Sequence, residues 1–211
     1  IEYGRKGLID QAMEDFSRAI EIKPDLAEDY YNRGVAYQRV ERLKEAIADY
    51  TRTIDLAPGN EKAWNNRGNA HAGLGMYNEA ISDFTRAIEI NPENPTAYYN
   101  RGIEFGKKGL SDEAIADFSR AVELKPDLAE AHYNMGNIYY NRNQCEEAIR
   151  EFDRALSIQR GYARAYLNKA LACEKLSRIP EARSAYEGFL RYARQESKEL
   201  VDFVSQRLRD L

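Results

Sequence analysis

Two histidines, two cysteines and five evenly spaced asparagines are the side chains with which this chain could do chemistry or hold a ligand. His71 and His132 could ligate a metal or act as general bases. Both stand in slots that hold aromatic rings elsewhere: Tyr37 and Phe105 match His71, and Tyr30, Trp64 and Tyr98 match His132. The expectation is a packed ring in each. No His-Glu-x-x-His, Cys-x-x-Cys or calcium-loop spacing occurs, so neither a metal nor another cofactor is expected. Gly73-Leu74-Gly75 is not a phosphate loop, because no strand precedes it and no Lys-Ser/Thr follows. Cys173 falls in the Tyr37 slot and reads as a small buried hydrophobe. Cys145 falls in a turn, with no cationic cluster to favour a thiolate. Carboxylates are spread over helix surfaces rather than paired in a cleft, and no enzyme is expected.

The elements that position these residues must be helices. Alanine occurs 27 times against five valines and four threonines, a balance that favours helix over sheet. The chain has 211 residues, 43% hydrophobic and 31% charged, enough apolar content for a core in one or two domains. Net charge is −4, from 31 basic and 35 acidic residues, which argues against a nucleic-acid backbone as partner. No apolar run approaches the roughly 18 residues of a membrane span, so no membrane insertion is expected. No basic-then-apolar signal peptide opens the chain.

A period of 34 residues organises the whole sequence. Gly34, Gly68, Gly102 and Gly136 form one series, continued by Ala170. Ala12, Ala46, Ala80, Ala114, Ala148 and Ala182 form a second. Phe16, Tyr50, Phe84, Phe118, Phe152 and Tyr186 form a third, and Pro24, Pro58, Pro92 and Pro126 a fourth. Each period reads as two helices. Glu61 to Gly73 carries Trp64, Gly68 and His71 at helical spacing, and Asn78 to Ile90 carries Ala80, Phe84 and Ala87. Asn91-Pro92 ends the second helix, since the residue before Pro avoids the helical region. A glycine in the first helix lets the pair approach closely, and the aromatic fills the space beside it.

With Trp64, Gly68, Ala80, Phe84, Ala87 and Pro92 in one unit, the chain resembles the tetratricopeptide repeat family. Full units run 27–60, 61–94, 95–128, 129–162 and 163–196. Residues 1–26 are the rear of another unit, whose first helix is cut because its glycine slot falls just before Ile1. The resemblance implies a single all-α, right-handed solenoid over 1–211, with first helices lining a concave groove. Residues 197–211 read as a capping helix. Val204 would block the glycine slot of a further repeat, and Leu200, Val204, Leu208 and Leu211 make one apolar stripe. The N-terminal edge carries no such cap.

Asn32, Asn66, Asn100, Asn134 and Asn168 stand two residues before each glycine slot. Asn is an indifferent helix former, so five in register need a reason. In the family geometry this slot faces the groove, and the resemblance extends to arrays in which a similar ladder holds extended peptide backbone. Asn offers one acceptor and two donors, matching a peptide's C=O and N–H. Neighbouring groove slots are Tyr31, Val35, Asn65, Asn69, Tyr99, Ile103, Tyr133, Asn137, Tyr140, Leu167 and Leu171. Tyr gives large contact area with few rotors. The charges there are Arg39, Lys62, Lys107, Arg164 and Lys175 against Glu28, Glu130 and Glu174, a mildly basic groove that favours some acidic residues in the peptide. The peptide-binding set expected is therefore the five ladder asparagines with Asn65, Asn69, Tyr99, Tyr133, Asn137, Lys62 and Arg164.

The carboxylate clamp of chaperone-tail binders is incomplete. Its first Lys would stand at Tyr31, Asn65, Tyr99, Tyr133 or Leu167, and none is Lys. A second co-varying set looks structural. Arg33, Arg67 and Arg101 precede the glycine slots where Asp49, Asp83 and Asp117 follow them fifteen residues on, whereas Met135 and Lys169 go with Glu151 and Ala185. The Arg and Asp of a unit are expected to meet between its two helices. The function expected is a non-enzymatic adaptor for an extended peptide of a partner protein. Its rivals are a scaffold that self-associates through the N-terminal edge, and a targeting arm for a catalytic domain outside this chain.

Overall fold

Every helix after the first is 13 or 14 residues long, and their order repeats the sequence period: α1 (Glu2–Ile22), α2 (Ala27–Arg39), α3 (Leu43–Leu56), α4 (Glu61–Gly73), α5 (Tyr77–Ile90), α6 (Pro95–Lys107), α7 (Ser111–Leu124), α8 (Ala129–Asn141), α9 (Cys145–Ile158), α10 (Ala163–Lys175), α11 (Ile179–Tyr192) and α12 (Lys198–Asp210). The structure is a computed structural model that describes residues 2–194 and 196–211, with side chains described from Leu8 onward. It is all helical over those residues. The chain forms two compact units, residues 1–110 with α1–α6 and residues 111–211 with α7–α12.

Within the units α2 pairs with α3, α4 with α5, α8 with α9 and α10 with α11. The expected glycine–aromatic seam holds these hairpins together. A Cβ at Gly34 would lie 2.8 Å from the Tyr50 ring, one at Gly68 2.7 Å from Phe84, and one at Gly136 2.5 Å from Phe152. Real side chains do not reach such distances, so only glycine admits the ring here. Ala46, Ala80, Ala148 and Ala182 are fully buried beside them.

The turn inside each hairpin is a C-cap of one design. Glu41, Gly75, Gly109, Asn143 and Ser177, again 34 apart, all have φ between 57° and 74°. The next residue's N–H returns to the carbonyl five back: Arg42 to Tyr37, Met76 to His71, Leu110 to Phe105, Gln144 to Tyr139 and Arg178 to Cys173, each at 2.9 Å. This is the left-handed Schellman closure of a helix end. Asn60 and Asn94 cap α4 and α6 through side-chain oxygens.

At the C-terminus α12 caps the second unit as expected. Val204 is fully buried, and Leu200, Leu208 and Leu211 pack on the same core. Arg207 grips Glu174 of α10 at 2.8–3.1 Å. At the other end, the rear of the cut unit is one uninterrupted helix, α1, of 21 residues.

Candidate functional site

The Asn slot lies where consecutive first helices meet: α2 touches α4, α4 touches α6, and α8 touches α10. All five ladder asparagines are half-buried. Asn66 donates from Nδ2 to the Tyr31 hydroxyl at 3.1 Å, and Asn100 to Asn69 Oδ1 at 2.9 Å. Asn168 donates to the Tyr133 hydroxyl at 3.2 Å and to Asn137 Oδ1 at 2.7 Å. The acceptor always comes from the preceding first helix, 31 or 35 residues back. These three amides are therefore tied to the preceding first helix as well as standing in the slot that the resemblance assigns to the groove. One end of each of these three amides is a rung between repeats, and Tyr31, Asn69, Tyr133 and Asn137 are its other end. The Oδ1 atoms of Asn66, Asn100 and Asn168 accept from no donor among the described residues, so each points a fixed acceptor away from the rung.

The residue three before each glycine is less open than the groove reading implied. Asn65 is 9% exposed and Leu167 8%, and Asn65 Oδ1 is buried without a partner. Tyr31 rests against Tyr50 with ring centroids 5.9 Å apart, and Tyr133 against Phe152 and Tyr162 at 6.0 and 4.8 Å. Burial pushes the Tyr31 phenol above its ordinary pKa, and the bond to Asn66 works the other way. Tyr99 is half-buried. These side chains pack on the second helices and show only part of their surface.

The charges are also partly spoken for. Arg164 is paired with Glu196 at 3.2 Å, Lys107 with Glu104 at 2.7 Å, and Lys175 lies 3.9 Å from the Tyr140 ring centroid. Among the described residues Lys62 and Arg39 have no ion pair, and both are exposed. The basic character expected of the groove thus reduces, among its named cations, to two unpaired charges in unit 1.

The two Arg–Asp pairs within unit 1 are formed. Arg33 binds Asp49 in a two-pronged fork, at 2.8 and 2.8 Å, and Arg67 binds Asp83 at 3.0 and 2.7 Å. The fork raises the pKa of the Arg33 guanidinium. Each guanidinium also lies over aromatic rings, Arg67 4.8 Å from Trp64 and Arg33 5.8 Å from Tyr30. Its remaining arm donates to a hydroxyl of the preceding second helix: Arg33 to Ser17, Arg67 to Thr51, and Arg101 to Thr85. That third partner was missed in the sequence, although Ser17, Thr51 and Thr85 are themselves 34 apart.

His71 and His132 are packed as expected, each with a carboxylate as well. His71 Nδ1 lies 2.8 Å from Asp83 and His132 Nδ1 2.7 Å from Glu151. Cys145 and Cys173 are both buried, and burial raises the pKa of the Cys173 thiol. Among the described residues no three His, Cys, Asp or Glu are placed to hold a metal ion, and no helix is long and apolar enough to cross a membrane.

Family models agree with this architecture. Models described as "Tetratricopeptide repeat" match residues 27–60, 61–94, 84–116 and 133–197, and one described as "TPR repeat" matches 2–40 and 104–142. The first two spans coincide with the units read from the period. No curated protein matches the chain in sequence. Among solved structures, YrrB, described as a TPR protein with an unusual peptide-binding site, is 25% identical. It superposes with a TM-score of 0.76 over 92% of this chain and 99% of that one. MamA is 24% identical, with a TM-score of 0.74 over 81% and 96%. PilF of Pseudomonas aeruginosa is 20% identical, with a TM-score of 0.78 over 97% and 93%. The 34-residue hairpins, their glycine–aromatic seam and the family models that together run from residue 2 to 197 show that the chain belongs to the tetratricopeptide repeat family.

Proposed function

We propose that this chain is a non-enzymatic protein–protein interaction scaffold whose first-helix face binds an extended peptide segment of a partner. The observation that carries the reading is the state of the ladder amides. Nδ2 of Asn66, Asn100 and Asn168 is held by the preceding repeat, which fixes the plane of each amide and leaves Oδ1 as an oriented acceptor. Asn66 and Asn100 each keep one further N–H, so each still matches the C=O and N–H of a peptide backbone. Preorganisation of this kind lowers the entropy lost on binding. YrrB, a similar array described as having a peptide-binding site, supports the same reading. Asn32 extends the ladder within the first unit and Asn134 within the second. Asn137 and Tyr133 orient Asn168, while Asn65, Asn69, Tyr99 and the free cation Lys62 border the ladder. Arg164, tied to Glu196, contributes least.

The test is a display library of random peptides selected on the wild-type chain. Replacing Asn66 and Asn100 together by Ala should weaken the selected peptides by about 2–4 kcal/mol, from two to four lost hydrogen bonds of roughly 0.5–1.5 kcal/mol each. Tyr31→Phe frees the Asn66 amide without removing its acceptor or donors, and should weaken binding by a smaller step of about 0.5–1.5 kcal/mol. Loss of affinity in Tyr31→Phe alone, with the double variant unaffected, would mean that the ladder serves only the solenoid.

A further inference from the structure

Asn65, Asn66 and Asn69 follow Lys62 on α4 by three, four and seven residues, so the four side chains share one face of that helix. The slot of Asn65 holds Tyr31, Tyr99, Tyr133 or Leu167 on the other four complete first helices. Of the five, α4 is thus the one with no apolar or aromatic side chain in this stripe.

What the stripe presents is mostly donors. Asn69 Oδ1 accepts from Asn100, which leaves the two N–H of Asn69 as its remaining polar function. Asn66 gives one N–H to Tyr31 and keeps the other. Asn65 is nine-tenths buried and its Oδ1 lies inside the protein, so it offers no acceptor to the face. Lys62 is exposed and has no ion pair among the described residues, not even with Glu28, the exposed carboxylate one period back in the same slot. The other cation in that slot, Arg164, is tied to Glu196 at 3.2 Å.

We infer that this stripe is the anion-reading subsite of the first-helix face. It takes an acidic group, carboxylate or phosphate, on a side chain of the bound peptide, with Lys62 as counter-charge and Asn69 Nδ2 as second donor. The inference rests on the peptide-binding reading above. Hydrogen bonds from a cation to an oxyanion are the strong ones, and Lys62 breaks no ion pair to make them. A Tyr or Leu in the Asn65 slot, as on the other first helices, would set an apolar wall beside the charge and raise its desolvation cost.

The probe is the tightest peptide of the display selection, synthesised with an amidated C-terminus. Replacing its acidic residue by the matching amide should weaken binding about tenfold or more, and Lys62→Gln on the chain should weaken the original peptide equally. Both changes together should cost little more than either alone, the mark of a direct pair. Asn69→Asp keeps the acceptor for Asn100 and turns the outward donor into an oxygen, so it should weaken the acidic peptide and spare the amide form. Arg39→Gln, at the other unpaired cation of unit 1, should change nothing. A phosphoserine form of the peptide separates the two sources, the tighter of phosphate and carboxylate being the group read. Peptides that depend on Asn66 and Asn100 but have no fixed acidic position would overturn this inference and leave the peptide-binding reading standing. So would a loss that follows Arg39→Gln in place of Lys62→Gln, or affinity that needs a free C-terminal carboxylate. A selection that yields no peptide would overturn both.

Discussion

In unit 1 the carboxylates of Asp49 and Asp83 are each held by the Arg one place before a glycine, whose spare arm crosses to Ser17 or Thr51 of the previous second helix. In the next repeat of unit 2 the carboxylate slot of Asp117 passes to Glu151, and the Arg slot holds Met135, whose sulfur accepts from the Ser119 hydroxyl at 3.6 Å. Glu151 turns instead to His132, four residues before the glycine, and to Arg154 on its own helix. One repeat later the carboxylate is gone, Ala185 stands there, and Lys169 pairs backward with Asp153, the residue in the Ser/Thr slot. What persists is the requirement, not the pair. A buried carboxylate must find a cation or a strong donor, and the helical lattice offers several positions from which one can come. Unit 1 uses the fork that also ties three helices together, while unit 2 spreads the task over separate contacts.

The largest expected effect breaks the fork. Arg67→Ala leaves Asp83, with 4% of its side chain exposed, to His71 alone, and should cost about 3–5 kcal/mol in urea unfolding. A cost below about 1 kcal/mol would erase the contrast with unit 2. Next, Gly68→Leu drives a side chain into Phe84 and should cost about 1–3 kcal/mol or more. The counterpart Ala170→Gly in unit 2, where a Cβ is already accommodated beside Tyr186, should cost only about 1 kcal/mol, from helix propensity. A smaller difference separates the rungs. Asn168→Ala removes two internal hydrogen bonds and should destabilise by about 1–2 kcal/mol, whereas Asn66→Ala removes one and should stay near 0.5 kcal/mol once the better propensity of Ala is counted. Equal losses would show that the second rung adds nothing. Smallest is Lys169→Ala. Its partner Asp153 is half exposed, so the change should be under about 1 kcal/mol and should vanish in high salt, read as melting temperature against ionic strength.

The helices after α1, the glycine–aromatic seam and the C-terminal cap were legible in the sequence. Each is a local or steric matter. A glycine facing Phe84 leaves one solution, and Val204 in a glycine slot leaves no room for a hairpin of the same design. The positive φ at Glu41, Asn143 and Ser177 carries no residue-type signal, but Gly75 and Gly109 mark the same slot, and the period would have transferred it. The Arg–Asp forks of unit 1 were legible for the same reason, since two slots changed together.

Only the tertiary structure decided where hydrogen bonds went when several partners were in reach. The ladder asparagines read as open groove residues, yet Asn66 turns to Tyr31 and Asn100 to Asn69, because a half-buried amide takes the nearest acceptor on the preceding helix. Arg164 read as a groove cation, yet Glu196 lies within reach once the helices are stacked, whereas the pairing of Lys107 with Glu104, three residues back on its own helix, was open to sequence reading. The uninterrupted course of α1 is likewise not written in residues 2–8, whose near-copy at 104–110 ends a helix and turns. Periodicity fixes which faces must be buried, because burial is set by slot. The pairing of polar groups is set by distances across helices 16 to 35 residues apart, and those exist only after folding.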